Sequence, residues 1–371
     1  MDLRLLATAD LHLGMRFAGY PQAQERLAEA RFEALERLVE RANTAGCRLF
    51  LIAGDLFERP NLPQREVLRA ANILAQFQGE LAAVLPGNHD YYAGEAGSLW
   101  KLFRERAGDR VLLLDRPQVY DLCHYGLEVL LYPGPCTTRH CREHALSWIP
   151  SRQELWDGLL RIGVAHGSLE GFSPDLQGEY SPMRPSELEA LGLDLWIVGH
   201  THRPYPPAGQ TGARLFIPGI PEPDGFDCRH EGHAWLITMS GQKLSGAELL
   251  RSGTYRFLKQ ELELEPGSDP RHLLSAFRTP QSAQTLLRLT LKGLLESEAR
   301  AAMRSGLQEL GRELCLLEVD DSALSDWITP ERVQAEFSRG SFPYALLTRL
   351  MAEGEPETVQ LAYALLQEAR R

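Results

Sequence analysis

Asp10-Leu11-His12, Gly54-Asp55, Gly87-Asn88-His89-Asp90, His166-Gly167 and Gly199-His200-Thr201-His202 gather carboxylate, imidazole and amide groups into five short clusters. Five of the 11 histidines lie in them. Polar groups packed at strand ends need a partner, and a metal ion or a substrate phosphate is the natural one. Imidazole mixed with carboxylate and amide oxygen suits manganese, iron or zinc better than magnesium or calcium, which favour all-oxygen shells. Seven ligands of this kind are too many for one ion. They fit two ions about 3.5–4 Å apart that share a carboxylate. Such a pair of cations neutralises phosphate oxygens, and a nearby imidazole can hand a proton to a leaving alkoxide.

The clusters need elements that bring them together. Residues 3–9, 47–53 and 81–85 are apolar runs with β character, separated by helical patterns at 22–45 and 65–77. In the first helix Leu27, Phe32, Leu35, Leu38 and Val39 fall near helical spacing, and Gly46 closes it. This β-α-β-α-β order favours parallel strands, whose carboxyl ends collect ligands. Asp10 and His12, two apart, would project to one side of an extended strand end. Further strands are expected at 111–114, 127–132, 161–165, 193–198, 214–217 and 233–239. Those at 161–165 and 193–198 end in histidine beside glycine. A strand at 257–264 leaves the first domain, and Glu265-Pro266-Gly267-Ser268-Asp269-Pro270 reads as a linker. Beyond it, alternation at 287–292, a helix at 296–314 and a strand at 315–319 make a small α/β unit. Thr329-Pro330 starts another helix, and 357–370 forms the last, with Val359, Tyr363 and Leu366 on one face. The domains are expected at 1–264 and 271–371.

The chain has 371 residues, 44% hydrophobic and 24% charged, which suits a globular protein of two domains. No apolar run is long enough to span a bilayer, and no signal peptide is evident, so a cytoplasmic protein with no membrane association is expected. Six scattered cysteines make no disulfide framework. Cys136, His140, Cys141 and His144 crowd together, but without the usual zinc-knuckle spacing, and read as a surface loop with reduced thiols. The net charge of −11 counts modestly against a nucleic-acid substrate, although bound divalent cations can outweigh it locally.

Taken in this order, the motifs resemble those of the calcineurin-like metallophosphoesterase superfamily over residues 5–205. The resemblance implies an α/β fold of two packed mixed β-sheets flanked by helices. It implies that Asp10, His12 and His202 hold one ion, that Asn88, His166 and His200 hold the other, and that Asp55 bridges them. His89 would then act on substrate as general acid or phosphate contact, with Asp90 as its orienting partner. Asp10-Leu11-His12-Leu13-Gly14, Val198-Gly199-His200-Thr201-His202-Arg203-Pro204 and Pro218-Gly219-Ile220-Pro221-Glu222-Pro223 are similar to segments of the SbcD/YhaO-like DNA repair exonuclease branch. Ile220 departs from the small polar residue often found there. The C-terminal part is similar to the small α/β capping domain of the YhaO-like subgroup. That branch implies a manganese-dependent nuclease acting on DNA, with iron, zinc or magnesium as other ions. It also implies a homodimer paired with an SbcC-like coiled-coil ATPase. Arg16, Arg59, Arg139, Arg142 and Arg203 are candidate phosphate contacts. The rival reading is a phosphodiesterase or phosphatase for a small molecule or a phosphoprotein.

Overall fold

The computed structural model describes residues 2–94, 98–149, 158–173, 175, 177–210, 212–354 and 356–369. The chain divides into two compact units, Met1–Arg256 and Phe257–Arg371.

The first unit carries two sheets. In chain order its strands and longer helices are β1 (Asp2–Thr8), α1 (Gln24–Thr44), β2 (Leu49–Ala53), α2 (Gln64–Leu74), β3 (Leu81–Leu85), α3 (Leu99–Ala107), β4 (Val111–Leu113), β5 (Tyr120–Asp121), β6 (Val129–Gly134), β7 (Leu160–His166), α4 (Pro185–Ala190), β8 (Leu195–Gly199), β9 (Leu215–Phe216), β10 (His233–Ser240) and β11 (Lys243–Arg251). One sheet runs β11-β10-β1-β2-β3-β4 and the other β5-β6-β7-β8-β9. β1 to β4 are mutually parallel, as are β6 to β9, while β10, β11 and β5 pair antiparallel. The expected mixed sheets are therefore present.

Strand alternation builds the layers. Leu5, Ala7, Leu49, Leu51, Ala83 and Leu85 face Val129, Leu131, Ile162, Val164, Leu195 and Ile197 of the second sheet in one core. The intervening residues Leu6, Phe50, Ile52, Ala82 and Val84 pack against Phe32, Leu35 and Leu38 of α1, Val67 and Ala70 of α2, and Trp100 and Phe103 of α3. The outer face of the second sheet packs Tyr132, Trp196 and Val198 on Leu188 of α4. Every carboxyl-terminal end of β1, β2, β3, β7 and β8 then leads into one of the five clusters.

The periodicity reading misses α3, α4, β5 and β11, and in the second unit the helices at Pro270–Ser275 and Phe342–Glu353. β11 is an edge strand with glycine at 246 and a register shift opposite Thr238/Met239, so its half-exposed sequence carries no clean alternation. The nine-residue α3 declares itself mainly through its cap, where the Ser98 hydroxyl accepts from Lys101 N–H.

The second unit holds β12 (Arg256–Leu264), α5 (Pro270–Ser275), β13 (Thr285–Leu295), α6 (Ser297–Glu313), β14 (Leu316–Asp326), α7 (Pro330–Glu336), α8 (Phe342–Glu353) and α9 (Pro356–Glu368). Its sheet runs β12-β13-β14, with β13 and β14 parallel around α6. β14 is longer than expected because, past a register shift, Ala323–Asp326 keep pairing with Lys292–Leu295 despite their polar sequence. Thr329 caps α7 as expected, accepting from Arg332 N–H. The last residue of the helix expected at 357–370 lies outside the described residues.

Candidate metal centre

The site is built on strained backbone. Asp10, His12, Asp55 and His200 have φ of 55°, 47°, 52° and 86°, where L-residues are rarely found. Backbone strain of this kind persists where surrounding structure enforces it, and it concentrates at functional sites. The shared side of Asp10 and His12 therefore does not come from strand alternation, as expected from their spacing. β1 ends at Thr8, and the next residues turn left-handed while pairing with the loop after β2. Asp10, His12 and Leu13 donate N–H groups to the carbonyls of Gly54, Asp55 and Leu56 at 3.0, 2.9 and 2.9 Å.

Three glycines allow the loops to close. A Cβ at Gly87 would lie 2.2 Å from Oδ1 of Asp55, one at Gly54 would lie 2.0 Å from Nδ1 of His166, and one at Gly199 would lie 1.9 Å from the Ala53 carbonyl. The ligand residues occupy the space that side chains would fill.

All seven expected ligands converge. Asp10, His12, Asp55, Asn88 and His166 are buried. Single ligand atoms of Asp10, His12 and His202 lie within 4.8 Å of one another, as do those of Asp10, Asp55 and His166, and of His12, Asp55 and His89. Asp55 Oδ2 is 3.1 Å from His166 Nε2 and 3.8 Å from His12 Nε2, so one carboxylate oxygen faces both groups of ligands. Asn88 Oδ1 lies 3.0 Å from His166 Nε2 and 3.1 Å from His200 Nδ1. Nδ1 of His166 is 2.8 Å from the Ala53 carbonyl, which makes that nitrogen a donor and leaves Nε2 as the nitrogen that faces the cluster.

Burial and like charge set up a conflict that cations resolve. Burial pushes the Asp10 carboxyl up. Burial works upward on Asp55 too, but the facing His166, His12 and His89 hold it well below the usual carboxylate range. The His166 imidazole, disfavoured as a cation by burial, is nevertheless raised to about 9 by Asp55 and Asp10. Burial and the neighbouring His166 drive His200 down to about 3. Nε2 of His12 is buried with no hydrogen-bond partner among the described residues. Orphaned imidazole nitrogen, an amide oxygen and two buried carboxylates are a donor set that fits two divalent cations.

His89 stands at the edge of this cluster, its ring centroid 4.7 Å from that of His12, and its N–H donates to Asp55 Oδ1 at 2.8 Å. Asp90 is placed differently from its sequence reading. Its carboxylate accepts from Phe57 N–H at 2.9 Å in the loop after β2 and from Gly87 N–H at 2.7 Å in the turn after β3, so it ties the two loops together. It braces the loop. The partner at His89 Nδ1 is Glu58, through its carbonyl at 3.1 Å and its carboxylate at 3.7 Å. The same Glu58 carboxylate lies 2.9 Å from His12 Nδ1, and Asp224 lies 3.1 Å from His202 Nδ1. Carboxylates behind ligating histidines orient the rings and raise their basicity. Sequence reasoning missed both. Glu58 has one available signal, its place three residues after Asp55; Asp224 has only its position beside the proline-rich segment.

Arg16 and Arg59 line one groove of about 680 Å³ together with Arg65 and Arg69, and Arg203 lines another of about 960 Å³ with Tyr20, His202 and Arg229. Arg142 pairs with Glu179 at 3.1 Å, and Arg139 is exposed. Ile220 is wholly buried and donates its N–H to the His202 carbonyl at 3.1 Å. Cys136 and Cys141 contact the carbonyls of His166 and Glu143, His140 and His144 pair with Glu179 and Glu187, and all six cysteines are free thiols.

A model of the calcineurin-like phosphoesterase family matches residues 3–204, the stretch that carries every one of these candidate ligands. The chain belongs to that family. Among relatives, the uncharacterized metallophosphoesterase YhaO of Bacillus subtilis (strain 168) is 26% identical over 215 residues, 54% of this chain and 49% of that protein. The DNA double-strand break repair protein Mre11 of Methanopyrus kandleri is 22% identical over 242 residues, 60% of this chain and 50% of that protein. Mre11 of Aeropyrum pernix is 36% identical over 89 residues, 24% and 21% of the two chains. The chain thus spans about half the length of the first two of these relatives. Among the described residues, no helix is long and apolar enough to cross a membrane.

Proposed function

We propose that this phosphoesterase is a DNA nuclease of the SbcD/YhaO-like branch, an exonuclease dependent on two manganese ions. The observation that carries the hydrolytic half is the position of His89, whose N–H is tied to Asp55 while its ring borders the cluster of His12 and Asp55. The nucleic-acid half draws support from the Mre11 relatives and from the arginines beside the site.

Asp10, His12 and His202 would hold one ion, Asn88, His166 and His200 the other, with Asp55 between them. When bound, the ions supply positive charge for the phosphate oxygens and acidify water for attack. The chain's own residues do the rest. His89, fixed by Glu58 at Nδ1, presents Nε2 for a proton to the leaving oxygen. Asp90, holding Phe57 and Gly87 N–H, keeps Asn88 and His89 at fixed depth. Arg16, Arg59 and Arg203 contact backbone phosphates. The second unit, residues 271–371 in the sequence reading, acts as a capping domain that guides DNA. A homodimer paired with an SbcC-like coiled-coil ATPase, working in the cytoplasm, completes the proposal.

A small phosphodiester is the alternative substrate. It is favoured by the net charge of −11 and by Glu25, Glu29 and Glu66 among the arginines of the 680 Å³ groove. Digestion of end-labelled duplex DNA with manganese, run beside bis-para-nitrophenyl phosphate for wild type and His89→Ala, separates the two. DNA degraded by wild type and spared by the variant supports the nuclease. Cleavage of the small ester alone, with DNA untouched under manganese, magnesium, iron or zinc, removes it.

A further inference from the structure

Arg31 lies on α1, away from every cluster in sequence, yet it is 1% exposed. A buried guanidinium costs several kcal/mol unless its charge and donors are met, by the usual balance for buried ions. Its Nη1 donates at 2.6 Å to the carbonyl of Leu11, the residue between Asp10 and His12. The Phe17 ring centroid sits 5.3 Å from its Cζ. Nε and Nη2 are buried without a hydrogen-bond partner among the described residues. The acidic side chains whose charge reaches it are Asp224, Glu222 and Glu58.

Two of those acids are the ones that hold histidines. Asp224 is paired with His202, and Glu58 with His12. His202, His12 and Asp10 are the three residues of one ligand group. Arg31 therefore grips the backbone of the Asp10-Leu11-His12 turn at Leu11, and the charges of the carboxylates behind both histidines reach it. No other described basic side chain combines these relations: Arg37, the nearest comparable one, reaches Glu222 and the Ser252 carbonyl instead. We infer that Arg31 is a positioning residue for one of the two ion sites. It fixes the turn that carries Asp10 and His12, and its charge balances Asp224 and Glu58 so that both histidines stay aligned. The other site, with Asn88, His166 and His200, has no such support from α1. This rests on the two-ion reading of the centre and not on DNA as the substrate.

The test is calorimetric titration of Mn²⁺ into the metal-stripped full chain, with electron paramagnetic resonance at two equivalents. Arg31→Met keeps length and apolar volume. It is expected to weaken one equivalent by about 10- to 100-fold, the effect usual for a group behind the ligands. The weakened equivalent should be the one lost in His202→Ala, while the one lost in Asn88→Ala remains, and the spin-coupled signal of paired ions should give way to a single-ion signal. Arg31→Lys, which keeps the charge, should recover most of the affinity. If Arg31→Met fails to fold, Asp224→Asn and Arg31→Lys carry the test: each should weaken the same equivalent, Asp224→Asn the more. Both equivalents retained with a coupled signal overturns the inference. So does equal loss at both sites without recovery in Arg31→Lys, which is general packing. A wild-type chain that binds no manganese overturns the two-ion reading itself, and Arg31's role with it.

Discussion

The backbone N–H of His89 donates at 2.8 Å to Oδ1 of Asp55, while Oδ2 of the same carboxylate lies 3.1 Å from His166 Nε2. One side chain thus spaces the residue proposed to meet the substrate against the ligands of both ions. Replacing Asp55 by Asn keeps the shape and removes the charge. We expect Asp55→Asn to lower manganese-dependent hydrolysis of bis-para-nitrophenyl phosphate by about a thousandfold or more, in line with losing a shared metal carboxylate and its electrostatic stabilisation. Bound manganese should fall below two equivalents when counted by atomic emission.

His89→Ala should act differently. In the two-ion reading His89 is none of the seven ligands, although it borders His12 and Asp55, so two manganese equivalents should remain bound. The turnover number should drop by about 10²–10⁴-fold, the usual contribution of a positioned acid. Loss of metal together with activity would move His89 from the substrate side to the ligand side.

Glu58→Gln leaves a side chain of the same size without a charge behind His12 and His89. The expectation is weaker manganese binding by about tenfold, the lower end for a group behind a ligand, and a shifted alkaline limb in the pH–rate profile, the limb a general acid governs. An unchanged profile would show that the Glu58 carbonyl alone orients His89.

Gly87→Ala and Gly199→Ala test the close approaches. Their Cβ atoms would meet Asp55 Oδ1 at 2.2 Å and the Ala53 carbonyl at 1.9 Å, and neither neighbour is a flexible chain end. Each should cost about 1–3 kcal/mol of stability, as overpacking does, and should depress metal binding as well. Melting temperatures of the metal-stripped and manganese-loaded proteins measure both effects.

The metal-stripped protein should lose stability as pH rises. His166 is raised to about 9 from an unfolded value near 6.5, so its contribution is complete below about 6.5 and is lost as pH climbs through about 9. Asp90, pushed up to about 8 by burial and by Asp55, acts in the same direction above about pH 4. Manganese displaces the His166 proton, so the rise in melting temperature on adding the metal should be larger at pH 8.5 than at pH 6.5. A shift independent of pH would place His166 outside the ligand set.

The clustering of the seven candidate ligands was legible because each strand end is marked twice, by an apolar run that stops and by a metal-binding residue type that follows. Gly167 and Gly199, each beside a histidine, added the hint of close backbone approach: a Cβ there would lie 2.7 Å from the Ser181 carbonyl and 1.9 Å from the Ala53 carbonyl. What the sequence hides is long-range. Glu58 and Asp224 reach His12 and His202, 46 and 22 positions away, and Arg31 reaches the Leu11 carbonyl, 20 positions away. Nothing in local periodicity marks such residues. Asp90 was misread because adjacency to His89 in sequence suggests a partnership, whereas a turn sends neighbouring side chains apart. β11 escaped for another reason: an edge strand needs only one neighbour and tolerates mixed polarity.

The left-handed backbone at Asp10, His12, Asp55 and His200 bears on anyone who would transplant this centre into another scaffold. Copying the side chains onto ordinary strand ends would leave them fanned apart, since their convergence is stored in torsion angles that most sequences refuse. A successful graft would have to carry the turns whole, with the glycines that let them touch, and would inherit their intolerance of β-branched substitution.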